Sequence, residues 1–209
     1  MGIRVTNAFG FVTAFAVGLI FAGAIAQAAE IERIISPGGI EIWYVQEPSL
    51  PIIAMEIAFK NAGNSSLPDG KEGLANMVSS LLDEGAGNLD SFAFRRRMDE
   101  LAVSFRFSDN ADTFRVTLRT LSENRDDAFD MLGLALTAPR FDAVPVERMR
   151  AAILSGLNRR INDPDYMLGL AWMKTAYPDH VYGRPSRGTI ETVESFTSDD
   201  FHYFVESRF

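Results

Sequence analysis

Apolar and polar residues alternate or recur along this chain in patterns that separate strands from helices. Ile31 to Ile35 and Ile40 to Val45 flank the turn cluster Ser36-Pro37-Gly38-Gly39, which predicts a hairpin. Ile52 to Phe59 predicts a third strand, and the turn-rich stretch Asn61 to Gly70 a loop. From Gly73 to Glu84 the residues Leu74, Met77, Val78, Leu81 and Leu82 fall on one helical stripe, closed by Gly85 and Gly87. Ser91 to Ala102 predicts a second helix, capped by Asp90 or Ser91. Val103 to Phe107 and Thr113 to Leu121 predict a hairpin about Ser108-Asp109-Asn110. In its second strand Phe114, Val116, Leu118 and Thr120 alternate with Arg115, Thr117 and Arg119, the pattern of a strand with one buried face.

The second part reads as helical. Ser122 is expected to cap a helix running to Ala138, with Phe129, Leu132 and Leu136 inside and Pro139 as its stop. Asp142 and Pro145 open another, whose stripe is Met149, Ile153, Leu154, Leu157 and Ile161. Asp163-Pro164 breaks that helix, Tyr166 to Tyr177 resumes, 178–188 is loop, and Ser198 is expected to cap a last helix through Phe209. The order of elements predicts an α+β fold, a mixed or antiparallel sheet packed with helices.

The N-terminus has another character. Arg4 is followed by an apolar run from Phe9 to Ala26 that ends in Ala26-Gln27-Ala28, a small-x-small cleavage pattern. Residues 1–28 read as a secretory signal, and a retained membrane anchor or a buried core helix are the alternatives. The signal reading makes 29–209 the working domain, exported to a bacterial periplasm, with no membrane segment once the signal is removed. No closing strand follows the last helix, so this domain is expected to lack its closing strand and a second domain.

Composition narrows the chemistry. The formal net charge is −8, with no basic run, which disfavours nucleic acid as a partner. Cys is absent, excluding disulfides, thiolate metal sites and a cysteine nucleophile. The only histidines are His180 and His202, read as a loop hydrogen-bonding residue and a surface or core-edge residue. Arg95-Arg96-Arg97 reads as a solvated or ion-paired helix face. Opposite the apolar stripe of the first helix lie Asn76, Ser79, Ser80 and Asp83. Asn76 and Ser80 stand one turn apart on one face. Asn76, Ser79 and Ser80 are not useful zinc ligands, and no G-x-S-x-G elbow supports Ser79 or Ser80 as a nucleophile.

The run from Lys71 to Gly85, KEGLANMVSSLLDEG, resembles the zinc-binding helix of the insulinase/pitrilysin peptidases, G-x-A-H-x-x-E-H-x-L-x-x-G. Ile153 to Leu157 followed by Asp163-Pro164 is similar to the helix that carries the family's third ligand. Asp179 to Gly188 is similar to its H-P-Y-G-x-P-x-x-G stretch, and Thr197 to Phe201 to its T-x-x-D-L helix start. The resemblance implies a metallopeptidase-like domain in which Asn76 and Ser80 stand at the positions of the histidines. It places Ser79 at the position of the catalytic Glu and Gly156 (or Ser155) at that of the ligand Glu. It therefore implies no catalytic residue and no metal ligand, and no cofactor where the family has zinc. It also implies a non-catalytic subunit whose partner is a catalytic peptidase of the same family, with peptide or unfolded protein as substrate. An active zinc metalloendopeptidase and a stand-alone peptide-binding or scaffold protein remain the alternatives.

Overall fold

The computed structural model describes residues 30–209; residues 1–28, read above as a secretory signal, lie outside the described residues. Two compact units divide between Leu50 and Pro51. The first holds an antiparallel hairpin, β1 (Glu32–Ile35) and β2 (Glu41–Tyr44), in register from Glu32 opposite Tyr44 to Ile35 opposite Glu41. The turn closes because Gly39 takes φ +83°, a left-handed value that a side chain disfavours. Its amide donates to the Ser36 carbonyl at 2.9 Å.

The second unit is built on an antiparallel sheet of order β3-β5-β4: β3 (Ile52–Lys60), β5 (Thr113–Leu121) and β4 (Ser104–Asp109). The alternation predicted for β5 is what the fold uses. Phe114, Val116, Leu118 and Thr120 are buried, while Arg115 and Arg119 point the other way and are exposed. Arg115 pairs there with Glu56 of β3 at 2.6 Å. The helices of this unit are α1 (Leu74–Ser79), α2 (Ser91–Glu100), α3 (Arg125–Thr137), α4 (Ala143–Arg160), α5 (Pro164–Ala176), α6 (Ile190–Ser195) and α7 (Ser198–Arg208), and all but α5 bury residues. This is the predicted α+β class, with an antiparallel rather than a mixed sheet. All five apolar residues of the first stripe, Leu74, Met77, Val78, Leu81 and Leu82, are buried in the core. They join Phe94, Met131, Leu132, Phe201 and Phe204. Phe114 meets Phe204 at 5.9 Å and Phe209 at 5.1 Å, tying the sheet to the last helix.

Several boundaries differ from the sequence reading, each for a local reason. The helix expected over 73–84 is regular only to Ser79. Ser79 and Ser80 turn their hydroxyls back onto the Asn76 carbonyl, and such back-bonding competes with the helix ladder. The chain continues to Glu84 in tighter turns that still bury Leu81 and Leu82. Asp90, not Ser91, caps α2, accepting from the Ala93 amide at 2.8 Å. Ser122 caps nothing; it begins a short 3-10 turn, Ser122–Asn124, ahead of α3. Phe129 faces outward, because the buried stripe of α3 is Ala128, Met131, Leu132 and Ala135. Ile161 ends α4 half exposed. Thr197, not Ser198, caps α7, in a capping box with Asp200. Helix α6 was missed: its box pairs Thr189 with Thr192, where the usual signature has an acid or amide at the second place.

Candidate functional site

Three of the four sequence stretches that carry the resemblance meet around the N-terminus of α1. Gly73 has φ +88° and Gly188 φ +77°, and their backbones lie against one another. A Cβ added at Gly73 would stand 2.6 Å from the Arg187 carbonyl oxygen, so only glycine lets the two segments approach this closely. The Thr192 hydroxyl donates to the Glu72 carbonyl at 2.9 Å. Arg184 donates to the Leu67 carbonyl at 3.0 Å and pairs with Asp69 at 2.6 Å. Lys71 pairs with Asp200 at the start of α7 at 2.6 Å. Helix α4, which carries Ser155 and Gly156, is a direct neighbour of α1. The motif positions that are not chemical are thus the joints of the fold.

The chemical positions are occupied otherwise. The Asn76 amide donates to Asp109 Oδ1 at 3.1 Å, and Asn64 donates to the other oxygen of the same carboxylate. Ser79 and Ser80 donate to the Asn76 carbonyl at 2.8 and 3.1 Å. A serine nucleophile needs a base to take its proton; these hydroxyls face a backbone carbonyl instead. At α4, Arg159 donates to Ser155 Oγ at 2.8 Å, and its guanidinium lies 4.0 Å from where a side chain on Gly156 would begin. An amide nitrogen turned to a carboxylate, two hydroxyls turned to a carbonyl and a glycine under a cation do not fit a zinc ion, which takes imidazole, thiolate or carboxylate. Among the described residues no group of three or more His, Cys, Asp or Glu side chains is placed to hold a metal.

The two histidines sit apart from this region's chemistry. His180 accepts the Tyr182 amide on Nδ1 at 3.2 Å and packs edge-on against the Tyr182 ring at 4.7 Å. Tyr182 in turn donates to Asp112 at 2.9 Å, so this cluster fastens the 178–188 loop to the β4–β5 turn. The bond to Asp112 raises the Tyr182 hydroxyl above its ordinary pKa, followed by burial. His202 packs edge-on against Phe141 at 5.0 Å.

One group escaped the sequence reading. Glu84, with 2% of its side chain exposed, accepts from Ser91 Oγ at 2.6 Å and from the guanidiniums of Arg95 and Arg148. Burial pushes its carboxyl up, but the Ser91 hydroxyl and the two guanidiniums outweigh that and hold it below the ordinary value. Beside it, burial raises the Asp83 carboxyl despite Arg95. Arg96 and Arg97 behave as expected, pairing with Glu100 at 3.5 and 3.6 Å on the surface. Arg95 does not. The signal was present: Glu84 lies seven residues after Met77 and three after Leu81, on the apolar stripe itself, where a charge requires a partner.

No family model matches the chain. It is 25% identical over 182 residues to a protein of Helicobacter pylori named non-peptidase homolog YmxG, covering 87% of this chain and 41% of the relative. A protein of Rickettsia felis named a zinc protease is 20% identical over 171 residues, covering 82% and 41%. The chain thus spans about two fifths of the length of these relatives. Among solved structures, the peptidase M16 inactive domain from Pseudomonas fluorescens superposes with a TM-score of 0.79 at 23% identity, over 84% of this chain and 43% of that one. A protease from Helicobacter pylori gives 0.73 at 20% identity, over 85% and 43%. These structures share the fold, and the curated relatives divide between peptidase and non-peptidase names. In fold, motif order and named relatives this chain is similar to the insulinase/pitrilysin peptidases and their inactive homologues.

Proposed function

We propose that the chain is the non-catalytic subunit of an exported zinc-peptidase assembly, binds no zinc itself, and partners a catalytic subunit of the same family acting on peptide or unfolded protein. The observation that carries this reading is the state of α1. At the positions matched to the family's ligands, Asn76, Ser79 and Ser80 are turned into hydrogen bonds with Asp109 and the helix backbone. A metal ion must recover its dehydration energy from charged or imidazole ligands, and this set offers none. The non-peptidase name of the Helicobacter relative supports it. Export rests on Arg4, the apolar run and Ala26-Gln27-Ala28.

Elemental analysis of the purified chain after dialysis against trace zinc tests the first half; the expected content is below about a tenth of an equivalent. Affinity purification from the native cell tests the second half, and a protein bearing H-x-x-E-H should accompany the chain. Stoichiometric zinc would restore the peptidase reading that the zinc-protease names suggest. A second reading, a stand-alone peptide binder, is favoured by β4. It is an edge strand among the described residues, and such an edge accepts an extended peptide. Purification without an H-x-x-E-H partner would favour it.

A further inference from the structure

The first turns of α2 and α4 converge on a cleft of about 540 Å³, away from the region of Asn76, Ser79 and Ser80. It is lined by Arg95 and Arg148 together with the exposed Phe92 and Val144 and the buried Pro145. Phe92 is 76% and Val144 77% exposed, so both present apolar surface at the cleft. The arginines are fixed from beneath. Each gives one hydrogen bond to the buried Glu84, yet their side chains remain 53% and 50% exposed. A guanidinium has five N–H donors. Among the described residues no other hydrogen bond engages either of these two.

The surrounding carboxylates are committed elsewhere. Asp90 caps α2 through the Ala93 amide, and Asp142 is gripped by Arg140 at 2.7 and 3.2 Å. Asp83 lies within electrostatic reach of both arginines but does not line the cleft. Two planar donor forks, pre-oriented by a shared buried carboxylate, match the geometry of an incoming carboxylate. Pre-orientation lowers the entropy lost on binding.

We infer that this cleft binds the C-terminal carboxylate of a peptide whose last residue is apolar, with Arg95 and Arg148 on the carboxylate and Phe92, Val144 and Pro145 around the side chain. A chain terminus is chosen over an Asp or Glu side chain because it carries its charge and an apolar side chain on one Cα. The cleft brings two cations and apolar side chains together in the same way. The assignment does not depend on zinc content or on a catalytic partner.

The test is fluorescence anisotropy with the purified chain and labelled peptides ending in Leu-Phe, one as the free acid and one as the C-terminal amide. The free acid should bind about tenfold tighter or more, and lose affinity as salt rises. Val144→Asp puts a repelling charge on an exposed lining residue and should weaken the free acid about tenfold with an unchanged melting temperature. Arg95→Gln should also weaken the free acid, with a lowered melting temperature because Arg95 is a partner of the buried Glu84. Equal binding of acid and amide, binding of neither, or a Val144→Asp protein that binds like the parent would overturn the proposal. An amidated peptide with a penultimate Glu binding as well as the free acid would overturn the choice of a chain terminus.

Discussion

Glu84 places a full charge at the edge of a core otherwise built from apolar side chains and one buried threonine, Thr120. Its ionised form persists because three donors, from Ser91, Arg95 and Arg148, replace the water it gave up. Glu84→Gln removes the charge, keeps the shape and turns an NH₂ group toward two guanidiniums. The expected loss is about 3 kcal/mol at neutral pH, the low end for breaking a buried pair because both arginines are half in water. The pH dependence has a definite sign. The folded-state pKa of Glu84 is held below its ordinary value of about 4.3. Its contribution is therefore present above that value and is lost as pH falls through the folded-state value. Urea unfolding of parent and variant should give a constant gap from neutral pH to about pH 5, narrowing below about pH 4. A gap that does not narrow in acid would mean that Glu84 is not ionised in the fold. Asp83, raised by burial, has the opposite sign: its ionisation costs stability as pH rises through its folded-state value, so Asp83→Asn should not destabilise at pH 7.

At the scale of elements, the glycine pair that joins α1 to the 186–188 segment does what no side chain could. Gly73→Ala brings a methyl group 2.6 Å from the Arg187 carbonyl at a left-handed φ. Strain and clash together should cost about 2 kcal/mol or more. Hydrogen exchange should show the loss first at Glu72, Thr189 and Thr192, where Thr192 holds the Glu72 carbonyl. Unchanged protection there would mean the junction relaxes freely. This junction also explains what the sequence could disclose. Periodicity finds elements that bury a face, so the stripes of β5 and of the segment from Leu74 to Leu82 were legible and every apolar member of the latter is buried. Periodicity is blind to competition between side chain and backbone, which is why Ser79 and Ser80 shortened α1 unannounced. It is also blind to a six-residue helix such as α6, with a single buried apolar residue, Val193. The resemblance gave the glycines as pattern positions, and only the fold assigns them a mechanical task. The Asn76–Asp109–Asn64 network was illegible because its members lie 33 and 45 residues apart and none is an unusual residue where it stands.

For the molecule as a whole, the question is whether a domain with this fold has lost its metal chemistry at the residues matched here or elsewhere. Three of the matched stretches meet at Gly73, Gly188, Lys71 and Asp200. If the register is right, the scaffold should still accept the missing groups. Asn76→His, Ser79→Glu, Ser80→His and Gly156→Glu introduced together should confer zinc binding, read by isothermal titration and by zinc content after dialysis. Two features of this structure work against that variant. Asn76→His withdraws one donor from Asp109, leaving it to Asn64, and Arg159 lies with its guanidinium over the face of Gly156. A fixed cation beside the new carboxylate competes with Zn²⁺ for it and repels the ion. Adding Arg159→Gln should therefore tighten zinc binding by about tenfold over the four substitutions alone. Equal affinity with and without Arg159→Gln would place that guanidinium away from the ion. A five-fold variant that folds, by circular dichroism and a cooperative melt, yet takes up no zinc would refute the alignment of Asn76, Ser79, Ser80 and Gly156 with the ligand positions. The reasoning that makes the chain a non-catalytic subunit would fall with it, while the carboxylate cleft at Arg95 and Arg148 would stand.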